Sequence, residues 1–193
     1  MPDFYRSYHH LLRNETEGVA FRKVIRSTGS RRIVVAPHGG KIEPGTAEVA
    51  EAIAGTQLTY YAFIGLRSRA TQLHLSSTRM DDAELLDLVE AAESVLTVHG
   101  RAGDDVPLAL VGGCDVRTAD EIRVSLVASG FAAIMAGNAY QHLAGTHPHN
   151  ICNMGRSRKG VQLELTRLLR TQLADSEETM TRFIEAVRRV WAA

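Results

Sequence analysis

Residues 33–54 read IVVAPHGGKIEPGTAEVAEAIA, and the fold class is decided within them. The apolar run Ile33–Ala36 stops at Pro37 and the pair Gly39-Gly40, which reads as a buried strand ending in a loop. Pro44-Gly45 closes that loop. Thr46–Ala54 then places Val49 and Ile53 four residues apart behind Thr46 as N-cap, which predicts a helix. The alternation continues outward. Leu58–Ile64, Ser94–Val98, Leu108–Val111, Phe131–Met135 and Val161–Leu165 read as strands. Asp81–Ala92, Thr118–Ala128 and Glu177–Trp191 read as helices, the last with Phe183, Ile184, Val187 and Trp191 as its core face. Strands alternating with such helices predict an α/β fold, a largely parallel sheet covered by helices on both faces. No repeat, low-complexity tract or linker divides the chain, so residues 1–193 are expected to form one domain.

Composition narrows the function. A chain of 193 residues can bury roughly 70% of its unfolded surface and needs no staples. Its 22 basic residues cancel its 22 acidic ones, so no global field draws it to nucleic acid or anionic lipid. An anionic partner must be held by local basic residues. Two cysteines, Cys114 and Cys152, are too few for a disulfide scaffold and lack C-x-x-C spacing, which favours a reducing compartment. The polar, aromatic start of the chain lacks a leader pattern, and no apolar run approaches the roughly 18–20 residues of a membrane span. A cytoplasmic monomer is expected; release by lysis would leave no trace in the sequence.

In parallel sheets ligands sit beyond the carboxyl ends of the strands. Two strands deliver a histidine with glycine to that edge, IVVAP-His38-Gly39-Gly40 and SVLTV-His99-Gly100. Glu43 follows His38 by five residues, and the glycine pair lets the loop fold tightly enough for both to face one point. His38, Glu43 and His99 together make the His2Glu set of a catalytic zinc site. The plain alternative is a solvated loop histidine and a surface glutamate. In VQLEL, alternation puts Val161, Leu163 and Leu165 on one face and Gln162 and Glu164 on the other. A carboxylate there is either on a solvated edge face or buried with a raised pKa, which suits a general base.

Cationic groups cluster near these motifs. Asn150–Gly160 (NICNMGRSRKG) carries Arg156, Arg158 and Lys159; Arg101 follows His99-Gly100, and Arg79 lies in SSTRMDD. Guanidinium groups grip carboxylates through paired hydrogen bonds, although a single arginine in such a run is more often a solvated loop residue. The glycines of GGKIEPG fit neither nucleotide-binding pattern. A thiol nucleophile at Cys114 or Cys152 lacks a fixed partner, and His147 and His149 in THPHN read as surface residues or substrate contacts rather than a metal pair.

The blocks GVAFRKV, APHGGKIEPGTAEVAEAIAG, LHLSSTRMDD, VLTVHGRAG, VGGCD and HNICNMGRSRKGVQLELTRLLR together span nearly the whole chain. In them the sequence resembles the poly-γ-glutamate hydrolases, zinc enzymes of phages and bacteria. The resemblance implies a compact relative of the zinc carboxypeptidases, a three-layer α/β/α sandwich with a mixed, mostly parallel sheet. It implies one Zn2+ per chain held by His38, Glu43 and His99, with Glu164 as general base; of the arginines, Arg101 beside His99-Gly100 is the candidate to stabilise the oxyanion. The substrate would be an anionic γ-linked glutamate polymer, with Arg79, Asn150, Asn153, Arg156 and Arg158 as candidate contacts. VAFRK in place of the usual aspartate-tyrosine, the histidine-rich GTHPH and the basic NMGRSRKG leave two alternatives open. One is a metallo-amidase for another amide, such as a cell-wall peptide; the other is a polyanion binder that does not cut.

Overall fold

A computed structural model describes residues 3–101 and 106–192. Seven strands form one sheet: β1 (Phe21–Arg26), β2 (Arg32–Gly40), β3 (Thr59–Gly65), β4 (Ser94–Arg101), β5 (Ala109–Gly112), β6 (Ala133–Met135) and β7 (Val161–Thr166). Their order across the sheet is β1-β3-β2-β4-β7-β5-β6. β3, β2, β4 and β7 run parallel, β1 lies antiparallel on one edge, and β5 with β6 runs antiparallel to β7 on the other. The sheet is therefore mixed, with a parallel centre whose carboxyl ends share one edge.

Helices cover both faces. On one, α2 (Thr46–Ala54), α4 (Val116–Ala128), α5 (Arg167–Asp175) and α6 (Glu177–Trp191) bury Ile53, Ile122, Leu169, Phe183 and Trp191 against Val34, Leu96, Val98, Leu163 and Leu165. On the other, α1 (Tyr8–Leu12), α3 (Ala83–Ala91) and short 3-10 turns pack Leu11, Leu85, Val89 and Leu73 on Ile33, Val35, Tyr61 and Phe63. The long α6 is well signalled locally. Ser176 accepts from Thr179 N–H, Glu177 and Glu178 sit in the first turn, and Arg188 and Arg189 in the last, each matching the helix dipole.

Several boundaries differ from the sequence reading. β2 and β4 continue past their apolar runs through Gly40 and Arg101, carrying both histidines within the strands. The last two residues of the block VLTVHGRAG, 102–103, lie outside the described residues. Thr46 is the first helical residue rather than the cap: Gly45 is the N-cap, and the Thr46 hydroxyl donates to the Glu43 carbonyl at 2.8 Å. The expected strand at Phe131–Met135 begins only at Ala133.

One irregularity matters for the site. Ala36 lies opposite Ala62, but Gly39 lies opposite Ile64, so β2 spends three steps where β3 spends two. Such a bulge reverses the alternation of the strand. Ala36 packs with the α2 side, and His38 emerges on the opposite face, where Thr97, His99 and Glu164 also lie.

Candidate metal centre and active site

His38 is buried and oriented from both ends. Its Nε2 lies 2.7 Å from the Leu75 carbonyl, an acceptor only, so Nε2 carries a proton and Nδ1 is the ring nitrogen left for a cation to take. Gly40, with φ +65, turns the chain after the strand, and Glu43 N–H closes the loop onto the His38 carbonyl at 2.9 Å. The Glu43 carboxylate thereby reaches the same point. Oε1 lies 3.2 Å from His38 Nδ1, while Oε2 accepts Gly100 N–H at 2.7 Å. His99 approaches from β4, its Nδ1 3.2 Å from His38 Nδ1 and its Nε2 3.3 Å from Ser77 Oγ.

The electrostatics suit a cation. Burial first, then the charge of His38, pushes His99 down to about 3, so its imidazole is neutral at physiological pH. Burial works against charge on Glu43, but His38 outweighs it and holds the carboxyl at about 2. Burial likewise disfavours protonated His38, and Glu43 outweighs it, raising the pKa. Glu164 goes the other way: burial, then the charge of Glu43, lifts it to about 8.

A fourth group stands here that strand-end reasoning passed over. His74 stacks on His38, ring centres 4.1 Å apart and planes inclined by 28°, with Nε2 3.9 Å from Glu43 Oε1. Its Nδ1 is 3.0 Å from the Asp3 carboxylate, which also accepts Ser76 N–H. Among the described residues, His38, Glu43 and His74 are the set whose donor atoms all lie within 4.8 Å of one another, while His99 approaches His38 without completing such a set with Glu43. His38 and His99 are inclined by 61°, which permits a common point. The His38–His99 and His38–Glu43 spacings, 3.2 Å each, match the roughly 3.3 Å edge of a tetrahedron with metal bonds of 2.0–2.1 Å, but Glu43 and His99 do not approach each other that closely. His38 and Glu43 are common to both candidate ligand sets, with His99 or His74 as the third donor.

These groups open into a cavity of about 480 Å³. Glu164, in register with His99 on the neighbouring strand, lines it, as do Arg101, Asn150 and Gln162. Gln162 was seen in the sequence only as Glu164's companion. Its Nε2 donates to Glu164 Oε1 at 2.9 Å while its Oε1 accepts from Asn150 Nδ2 at 2.9 Å, so Asn150, besides lining the cavity, braces Gln162. Arg101 lies over the Tyr140 ring at 4.6 Å. Ser76, Ser77 and Thr78 form one wall, with Gln141, His142, Thr146 and His147 on another; His149 is not among the lining residues.

The remaining expected contacts lie elsewhere. Asn153 is buried and donates to Gly145 O and His147 O while accepting Cys114 N–H, which makes it a clamp beneath the cavity wall. Arg79 is exposed and pairs with Asp3 at 3.6 Å; Arg156 is exposed and donates to Glu90 O; Arg158 is exposed in a turn with φ +54. None of these four lines the cavity. The thiols of Cys114 and Cys152 donate to Thr146 O and Gly145 O, and burial pushes the Cys152 thiol well up, away from nucleophilic use.

The family model described as poly-gamma-glutamate hydrolase matches residues 5–188. The UPF0714 protein YndL of Bacillus subtilis (strain 168) is 35% identical over 173 residues, covering 89% of this chain and 67% of YndL. The structure of a bacteriophage poly-gamma-glutamate hydrolase superposes with a TM-score of 0.91 at 28% identity, over 99% of this chain and 97% of that one. A zinc-free apo structure of YndL gives 0.90 at 31% identity, over 98% and 97%. By fold and by family the chain is a hydrolase. It belongs to the poly-gamma-glutamate hydrolase family.

Proposed function

We propose that this protein hydrolyses the γ-amide links of poly-γ-glutamate with a zinc ion held by His38, Glu43 and His99. The observation that carries the reading is the 3.2 Å convergence of His38 Nδ1 on His99 Nδ1 and on Glu43 Oε1, with Glu164 on the adjoining strand. Zinc bound there would lower the pKa of a water to about 7 and polarise the amide carbonyl. Glu43 offsets part of the cation's charge, and the Leu75 carbonyl keeps the His38 proton on Nε2, away from the ligand atom.

Glu164 handles the proton. Gln162 engages its Oε1, which leaves Oε2 to take a proton from the attacking water and return it to the departing amine. Its raised pKa brings that exchange close to neutral pH, and a cation beside it would favour the carboxylate form. Arg101, braced on Tyr140, offers its guanidinium to the carbonyl oxygen as negative charge develops, or to a substrate carboxylate. Every residue of a γ-linked chain keeps a free α-carboxylate. The hydroxyls, amides and imidazoles of the two walls supply donors along such a chain.

The test is to follow polymer length by size-exclusion chromatography. Zinc-loaded protein is expected to shorten γ-linked polyglutamate and leave the α-linked polymer intact. Chelation should stop the reaction and added zinc restore it. Cleavage of neither polymer, with release of peptides from cell-wall fragments, would assign another amide substrate. Cleavage that survives chelation would remove zinc from the mechanism.

A further inference from the structure

Arg170 belongs to α5, a helix that supplies none of the proposed metal ligands, yet its side chain is almost fully buried. The guanidinium spends its donors on three main-chain carbonyls. Nε donates to Leu165 O at 3.1 Å, Nη2 to Arg101 O at 3.3 Å, and Nη1 to Pro44 O. Each carbonyl lies on a different segment of the site. Leu165 follows Glu164 on β7, Arg101 closes β4 two residues after His99, and Pro44 follows Glu43 in the loop leaving β2.

Gly100 shows how closely this fork is fitted. A Cβ there would stand 2.7 Å from Arg170 Cζ, 2.9 Å from Nε and 3.0 Å from Nη1, closer than side chains tolerate. Only glycine lets the guanidinium lie against β4. From the same residue, the Gly100 N–H reaches Glu43 Oε2 at 2.7 Å. Guanidinium is planar with donors in fixed directions, so three carbonyls bound to one such group are held in fixed relation to each other.

We propose that Arg170 is a positioning residue of the metal centre, setting from behind the sheet edge the spacing of Glu43, His99 and Glu164. This rests on the zinc reading above. The closing experiment compares Arg170→Met, Arg170→Lys, Gly100→Ala and the double variant Arg170→Met/Gly100→Ala with the parent. Hydrogen exchange at the Gly100 amide is followed in metal-free protein, zinc affinity by competition with a chromophoric chelator, and kcat and KM on poly-γ-glutamate.

Arg170→Met is expected to speed Gly100 exchange about tenfold or more and to weaken zinc binding about 10–100-fold, the usual effect of losing support behind ligands. The value of kcat should fall with KM within about twofold, since substrate contacts are intact. Lysine keeps the charge without the fork, so Arg170→Lys should recover only part of the loss. Gly100→Ala acts by displacing the guanidinium, so adding it to Arg170→Met should cost no more than about a further twofold. Unchanged Gly100 exchange and zinc affinity in Arg170→Met would overturn the proposal, as would full additivity in the double variant. If the parent takes up no zinc while Arg170→Met still frees the Gly100 amide, the zinc reading falls and the positioning role stands.

Discussion

Glu164 is the side chain on which burial and chemistry pull hardest. An unfolded glutamate releases its proton near 4.5, but burial and then the charge of Glu43 lift Glu164 to about 8. Between those values the folded, metal-free protein holds a proton that the unfolded chain has given up. The group's contribution to stability is therefore complete below about pH 4.5 and is lost as pH rises toward about 8. Urea denaturation of the metal-free parent and of Glu164→Gln should show the parent losing roughly 1–4 kcal/mol relative to the variant between about pH 5 and about pH 8. A difference that stays constant would mean that Glu164 is better solvated than its place beside His99 implies. This residue was legible in VQLEL because period two set it apart from Val161, Leu163 and Leu165, which do form the opposite core face. His38 and His99 were legible as histidines at strand ends. His74 was not. It follows a 3-10 turn, Ala70–Leu73, where no periodicity marks a direction, and its carboxylate partner, Asp3, lies 71 positions away.

Among the elements, those with an uninterrupted apolar face were readable and those serving an edge or a single side chain were not. β1 reads FRKVIR with only Phe21 buried, so no clean alternation announces it. α5 follows β7 directly, with Thr166 capping Leu169 N–H and no loop between to suggest a new element. Charge runs were the least legible feature, because arginines facing a cavity and arginines facing water look alike in sequence. The 3-10 turn and loop that form one cavity wall offer Gln141, His142, Thr146 and His147, while Arg156 and Arg158 face solvent. Arg79→Gln, Arg156→Gln and Arg158→Gln should therefore each leave KM for poly-γ-glutamate within about twofold, as expected of exposed charges. Arg101→Gln should lower kcat/KM by about tenfold or more, on the scale of removing one charged donor from a developing oxyanion. Steady-state kinetics decides between them. An Arg156 or Arg158 effect as large as that of Arg101 would place the polymer's path across the NMGRSRKG loop instead.

At the scale of the molecule, the site is assembled from segments far apart in the chain: Asp3, the loop after β2, the turn around Leu75, the end of β4 and the end of β7. A ligand joining such segments should stabilise the whole fold. Free zinc at 100 times its dissociation constant would add about 2.7 kcal/mol, visible as a rise in melting temperature that His99→Ala abolishes. His74→Phe, which keeps a flat ring over His38, should retain the rise; its loss would move His74 into the ligand set. The central claim, that Glu164 is the base beside a metal it does not bind, meets its most direct test in Glu164→Gln. The amide keeps the size of the side chain but accepts no proton as a carboxylate does. Poly-γ-glutamate turnover and zinc content are measured together on the same preparation. Turnover is expected to fall by about 10²–10⁴ with zinc content equal to the parent's. Turnover at the parental rate would show that the base lies elsewhere, and loss of zinc along with activity would make Glu164 a ligand, contradicting the division of roles drawn from the structure.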